Sequence, residues 1–169
     1  MSPYSVREHG ELIVLEDQRW KSAKTYIEYT RTLEEGTAEA FVAPTGLVRT
    51  DNVIDKGGPF GIHIPYDLNK DFRWVVTDDG KEAVVARSWV DTEGCNGADG
   101  DGKNCVSLSF SIDLWYGAGE NETIRLTSTW NYLRTSVDDL LTEEFLVKTM
   151  VNGLQEIFVN TDKVLAGED

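Results

Sequence analysis

The chain lacks any long hydrophobic run. Its apolar stretches reach no more than five residues, far short of the roughly 18 that a membrane-spanning helix needs, so no membrane span is expected. Residues 1–10 carry Arg7, Glu8 and His9 and no apolar core of the kind a secretory leader requires; the expected location is cytoplasmic. Basic residues are also in short supply. Sixteen Lys and Arg face 30 Asp and Glu, for a net charge of −14. Such a field repels phosphate backbones and anionic headgroups, and nucleic acid is excluded as a partner. Lys and Arg are used equally, eight of each, so the acidity does not mark a salt-adapted composition.

Cysteine is nearly missing. Cys95 and Cys105 bracket nine residues, and nothing near them completes the four ligands of a zinc site; no metal is expected. Free thiols are the default in a reducing compartment, but two cysteines at the ends of one loop also suit a disulfide. The familiar catalytic signatures are missing too: Gly-x-Ser-x-Gly, His-Glu-x-x-His and the dinucleotide glycine pattern. No cofactor is expected. Asn121-Glu122-Thr123 fits a glycosylation acceptor, but without a leader the match carries no weight. There is no internal repeat and no low-complexity segment.

What is present is a foldable composition. Hydrophobic residues make up 40% and aromatics include five Trp, six Tyr and six Phe, which excludes a disordered chain. At 169 residues a single domain over 1–169 is expected, with 1–24 as an N-terminal extension. Residues 11–15 form a short apolar run, strand or helix. Residues 24–33 alternate and are rich in Thr and Tyr, which favour strands. Thr37 can cap a short helix over Ala38–Ala43, ended by Pro44-Thr45-Gly46. Residues 55–61 form a turn-rich link. Strands are expected at 61–66 and 72–78, and Asp79-Gly80 closes a hairpin onto 82–90. Residues 92–104 read as a polar loop.

The clearest strand is 106–116. Val106, Leu108, Phe110, Ile112 and Leu114 alternate with Ser107, Ser109, Ser111 and Asp113, so one face is expected buried and the other wet. In 122–134, Ile124, Leu126, Ser128, Trp130 and Tyr132 share a face. Ser136 and Asp139 approximate a capping box. Then Leu146, Met150, Leu154, Ile157, Thr161 and Val164 recur at helical spacing, predicting a helix over 142–165 about 36 Å long. Its stripe needs the sheet as partner. Gly153 falls on that stripe, which close approach to the sheet would explain.

This order resembles the START/SRPBCC helix-grip superfamily, which includes polyketide aromatase/cyclases, pathogenesis-related allergen-type proteins and lipid-transfer domains. The residues that carry the resemblance are Ile27 to Leu33, Thr37 to Val42, the meander over 72–134 and the helix ending near Leu165. It implies an α+β fold, a curved antiparallel sheet wrapped around a long C-terminal helix. The runner-up is a lipocalin-like β-barrel with a terminal helix. The resemblance further implies a cavity between helix and sheet that takes an apolar small molecule, for carriage, sensing, or cyclisation and dehydration.

If the face of Ile124 and Leu126 lines such a cavity, Tyr132 offers a hydroxyl and Trp130 an indole donor, with Ser128 beside them. His63, between two branched neighbours, is of the residue type suited to general acid or base work near neutral pH. Arg87 shares a face with Trp89 and would clamp a carboxylate or stabilise an enolate; otherwise it stacks outward on Trp89. The expected catalytic set is Tyr132, His63 and Arg87, with Trp130, Ser128, Trp89, Phe110, Met150 and Leu154 as ligand contacts. Asp113 is expected solvated. Residues 97–104 imitate a phosphate-binding loop, but Asn104 replaces its hydroxyl and Asp99 and Asp101 would repel phosphate. As a calcium loop the same stretch lacks its distal Glu, since Phe110 stands there. Three functions follow: a cofactor-independent cyclase or dehydratase acting on a polyketide-like or terpenoid-like substrate, a non-catalytic hydrophobic-ligand carrier or lipid-binding protein, and an interaction module with a solid interior. Homodimer formation is left open.

Overall fold

A computed structural model describes residues 1–57, 63–96, 102–135 and 142–168. The architecture is a curved antiparallel sheet of seven strands with one long C-terminal helix, and the sheet does not close into a barrel. In chain order the elements are α1 (Val6–Ile13), a short 3-10 turn (Arg19–Ser22), β1 (Tyr26–Glu35), β2 (Leu47–Gly57), β3 (His63–Val76), β4 (Glu82–Trp89), β5 (Gly94–Cys95), β6 (Cys105–Gly119), β7 (Glu122–Arg134) and α2 (Glu143–Leu165). The strands run β1-β2-β3-β4-β6, with β5 and β7 both paired to β6. The lipocalin-like alternative fails because β1 and β7 do not pair with each other.

Local sequence explains most of these elements. Ser5 accepts from the Glu8 backbone while Glu8 reaches back to Ser5, a complete capping box that starts α1. Thr142 caps α2, and Glu143 and Glu144 favour its positive end. The β3–β4 turn has Gly80 at φ 80°, a left-handed position that costs glycine nothing. Strand β3 runs unbroken where the sequence suggested two pieces at 61–66 and 72–78. Polar residues from Asp67 to Asp71 looked like a break, but Asp71 is answered on both sides, by Arg49 Nε at 3.1 Å and Arg87 Nε at 2.8 Å. Strand β2 was hidden for a related reason: its inward residues alternate Val48, Thr50, Asn52 and Ile54, all buried, and half of them are polar.

The helix expected from Thr37 does not form. The segment makes turns anchored by Phe41, which is buried against Phe72 and Trp74, and the Trp74 indole donates to the Phe41 carbonyl at 3.1 Å. A β-carbon on Gly46 would meet the Val42 nitrogen at 2.6 Å, so the chain turns too tightly there for a larger residue. Residues 1–24 are not a loose extension. Helix α1 supplies Val6 and Ile13 to a core with Val14, Phe41, Val48, Phe72, Trp74, Val84 and Ala86. That core fills one end of the concave face of the sheet. Helix α2 lies over the other end. Asp162 accepts two hydrogen bonds from Arg125 on β7, at 2.9 and 3.0 Å, and one from Ser2 at 2.6 Å. Asn160 donates to the Lys21 carbonyl.

Candidate functional site

Cross-strand register decides which residues face α2. Leu108, Phe110, Ile112, Leu114 and Tyr116 stand opposite Tyr132, Trp130, Ser128, Leu126 and Ile124, and directly opposed residues point to the same side. The other side carries Ser109, Ser111 and Asp113 with Asn131, Thr129 and Thr127. A cavity of about 420 Å³ separates sheet and helix, lined by Ile64, Tyr66, Val106, Ser109, Thr129, Asn131 and Leu133 from the strands. Met150, Gly153, Leu154, Glu156 and Ile157 close it from α2, and Lys56 and Thr25 stand at its side. The serine face of β6 therefore looks into the cavity, and its leucine face looks out. This reverses the expected orientation.

Among the described residues the side-chain anchors of α2 lie towards its C-terminal end, at Asn160 and Asp162. Thr161 is buried, whereas residues 143–152 are all exposed. A β-carbon on Gly153 would meet nothing within 4 Å. Gly153 thus does not serve close approach to the sheet; it borders open space.

Beside the cavity the concave face is polar and cationic. Asn52 accepts from Tyr29 Oη and Arg31 Nε, both at 2.9 Å, and donates to the Leu68 carbonyl at 2.7 Å. Arg31 also donates to the carbonyls of Ile13 and Leu15, so its guanidinium is satisfied. Three half-buried lysines are not. Lys56 sits 4.6 Å from the Tyr26 ring centroid, Lys70 stands on β3 opposite Thr50 and Ser88, and Lys21 comes from the 3-10 turn. Burial, then Lys70, pulls the Lys56 ammonium down to about 8, with Glu156 acting against the shift. Burial, Lys70 and Arg31 hold Lys21 well below the ordinary lysine range. Burial lowers Lys70 as well, partly offset by Asp113. Burial alone raises the Tyr66 phenol to about 12. Asp113 is accordingly no solvated bystander; it faces this cluster.

Of the expected site residues, Met150 and Leu154 line the cavity. Tyr132, Trp130, Ser128, Phe110, Trp89 and Arg87 stand on the opposite, convex face. Tyr132 is 64% exposed and Trp130 51%, with the Trp130 ring 5.7 Å from Phe110. Arg87 stacks 4.8 Å over Trp89 and binds Asp71, the outward arrangement weighed above. His63 Nδ1 lies 3.1 Å from Asp55 on the same convex side. Arg87 pairs with Asp71, eight residues along β3 from His63, a separation of about 26 Å at 3.3 Å per residue. His63 and Arg87 therefore do not meet.

The two cysteines are joined by a disulfide linking β5 to β6. Glu93, Cys95 and Cys105 hold potential ligand atoms within 4.8 Å of one another, but both sulfurs are spent in that bond. The mimic loop with Asp99 and Asp101, and the capping pair Ser136 and Asp139, fall outside the described residues. Lys56, Lys70 and Lys21 were missed in the sequence because each sits in a polar stretch that reads as solvated. No family model, curated protein or solved structure matches the chain.

Proposed function

We propose that the protein binds an apolar small molecule between α2 and the concave face of the sheet, as a carrier in the helix-grip manner of START/SRPBCC proteins. The observation behind this reading is the unfilled volume bounded by Ile64, Val106, Leu133, Met150, Leu154 and Ile157. A chain that buried these side chains against each other would gain about 25 cal/mol for each Å² of apolar surface hidden; leaving the gap makes sense where a ligand fills it. Carriage is favoured over a cyclase or dehydratase because Tyr132, Arg87 and His63 point away from this space. The test is displacement of a neutral apolar dye from the purified chain. Leu154→Trp, which fills the cavity, should abolish dye binding and keep the melting temperature within a few degrees. Equal dye binding by Leu154→Trp and wild type defeats the proposal.

A second reading concerns the convex face. Leu108, Ile112, Ile124, Leu126, Trp130 and Tyr132 are each at least 40% exposed and contiguous across β6 and β7, more apolar surface than a monomer usually leaves bare. Homodimer formation through this face would cover it. Light scattering on wild type and Leu126→Glu decides: a dimer that the variant converts to monomer supports it, and a monomeric wild type at micromolar concentration rules it out. The expected cytoplasmic location is not carried into this proposal. None of the described helices is long and apolar enough to cross a membrane, while the disulfide favours an oxidising compartment.

A further inference from the structure

A chain with a net charge of −14 would be expected to leave few cations unanswered. Yet Lys56, Lys70 and Arg31 stand on one face of the sheet, Lys70 about 20 Å along the strands from Lys56, Lys21 adds its charge from the 3-10 turn, and among the described residues none of the three lysines has an ion-pair or hydrogen-bonding partner for its ammonium. Two carboxylates stand near them, Asp113 from β6 and Glu156 from α2. Half-buried ammonium groups answered at most by an aromatic ring, Tyr26 for Lys56 and Trp20 for Lys21, are poorly compensated, and Lys56 stands beside an apolar hollow. Lys56 lines that hollow directly, on the same wall as Ile64, while Met150, Leu154 and Ile157 supply greasy surface opposite. Ser109, Thr129 and Asn131 add neutral hydrogen-bonding groups along the same wall.

We propose that the ligand is an amphiphile with an anionic head, carboxylate or phosphate, seated on Lys56 within the positive field that Lys70 and Lys21 add to this face, with its tail along Met150, Leu154 and Ile157. This rests on the cavity being a ligand site. An anion supplies the missing counter-charge and lets the lysines stay protonated, which the protein alone discourages. Lysine suits the task as a compact, mobile point charge.

Calorimetry on the full chain at neutral pH with dodecanol, dodecanoate and dodecyl phosphate separates head from tail, because the three share one chain length. At least one anionic probe should bind roughly ten- to hundredfold tighter than the alcohol, the range of a charge-assisted hydrogen bond, and the order of the two anions names the head group. Lys56→Met combined with Lys70→Met should erase that preference and leave dodecanol affinity unchanged. A second arm needs no variant. Dodecanoate affinity should weaken as pH rises through about 8, where Lys56 loses its proton, with Lys21, Lys70, Arg31, Glu156, Asp113, Tyr26 and Tyr66 as the other ionisable groups facing it; dodecanol affinity should hold. Equal affinity for dodecanol and both anions, or a preference that survives the double substitution, overturns the head-group assignment and leaves the cavity reading intact. Failure of all three probes to bind removes both.

Discussion

His9 is fully buried on α1, and neither ring nitrogen has a hydrogen-bond partner. Burial, then the Arg125 charge, pulls its pKa down to about 4. The unfolded chain would take up its proton near pH 6.5, the folded one only near 4, so between those values the unfolded state binds more protons. Stability is complete above 6.5 and drains as pH falls to 4, by about 3 kcal/mol for this one group. His9→Leu should flatten that part of the curve in urea titrations run from pH 7 to 4. Two glycines make a paired prediction. Gly153→Ala meets nothing and should stabilise the chain by up to about 1 kcal/mol, the ordinary helix gain. Gly94→Ala would bring a β-carbon to 2.4 Å from the Pro65 carbonyl and should lower the melting temperature sharply. At this scale the sequence was legible in its alternation and misleading in its direction. The period of β6 is plain in Val106 to Asp113, but which side of an amphipathic strand faces inward depends on what the rest of the chain lays over it. Here α2 covers the serines, and the leucines are left outside.

Among the elements, α2 depends on few attachments. The Arg125–Asp162 pair is largely shielded, with the Arg125 side chain 8% exposed, and Arg125 also donates to the Phe158 carbonyl. Removing one partner strands the other. Asp162→Ala should cost about 3 kcal/mol and should raise amide exchange along α2 well before the α1 core is affected. If α2 exchanges no faster in that variant, the pair is not what holds the helix. About half of the elements could be read beforehand: β1, β4, β6, β7 and α2, with the β3–β4 hairpin, from period and turn chemistry. The failures share a cause. Strand β2 and the middle of β3 hide behind buried Thr50 and Asn52 and the paired Asp71, and the turn at Phe41 is set by a core contact with Trp74. Those depend on partners distant in sequence, which local pattern does not register.

For the whole molecule, the concave face holds two interiors: a packed one under α1 and a hollow, charged one under α2. Only the hollow was foreseen, from the pairing of a strand meander with a terminal helix, and its cationic side was not. The disulfide closes the loop between β5 and β6, and breaking it with reductant should lower unfolding free energy by about 2–3 kcal/mol, read from denaturant curves with and without reducing agent. Among the described residues the polar anchors of α2 lie near Asn160 and Asp162, while residues 143–152 are exposed, so the anchored end lies away from Thr149 and Met150 at the hollow. A ligand carried as proposed would reach the hollow from this exposed side, beside Thr149 and Met150. A bulky dye coupled near Phe145 would obstruct traffic, whereas a surface tether attached beyond Gly167 would leave it clear.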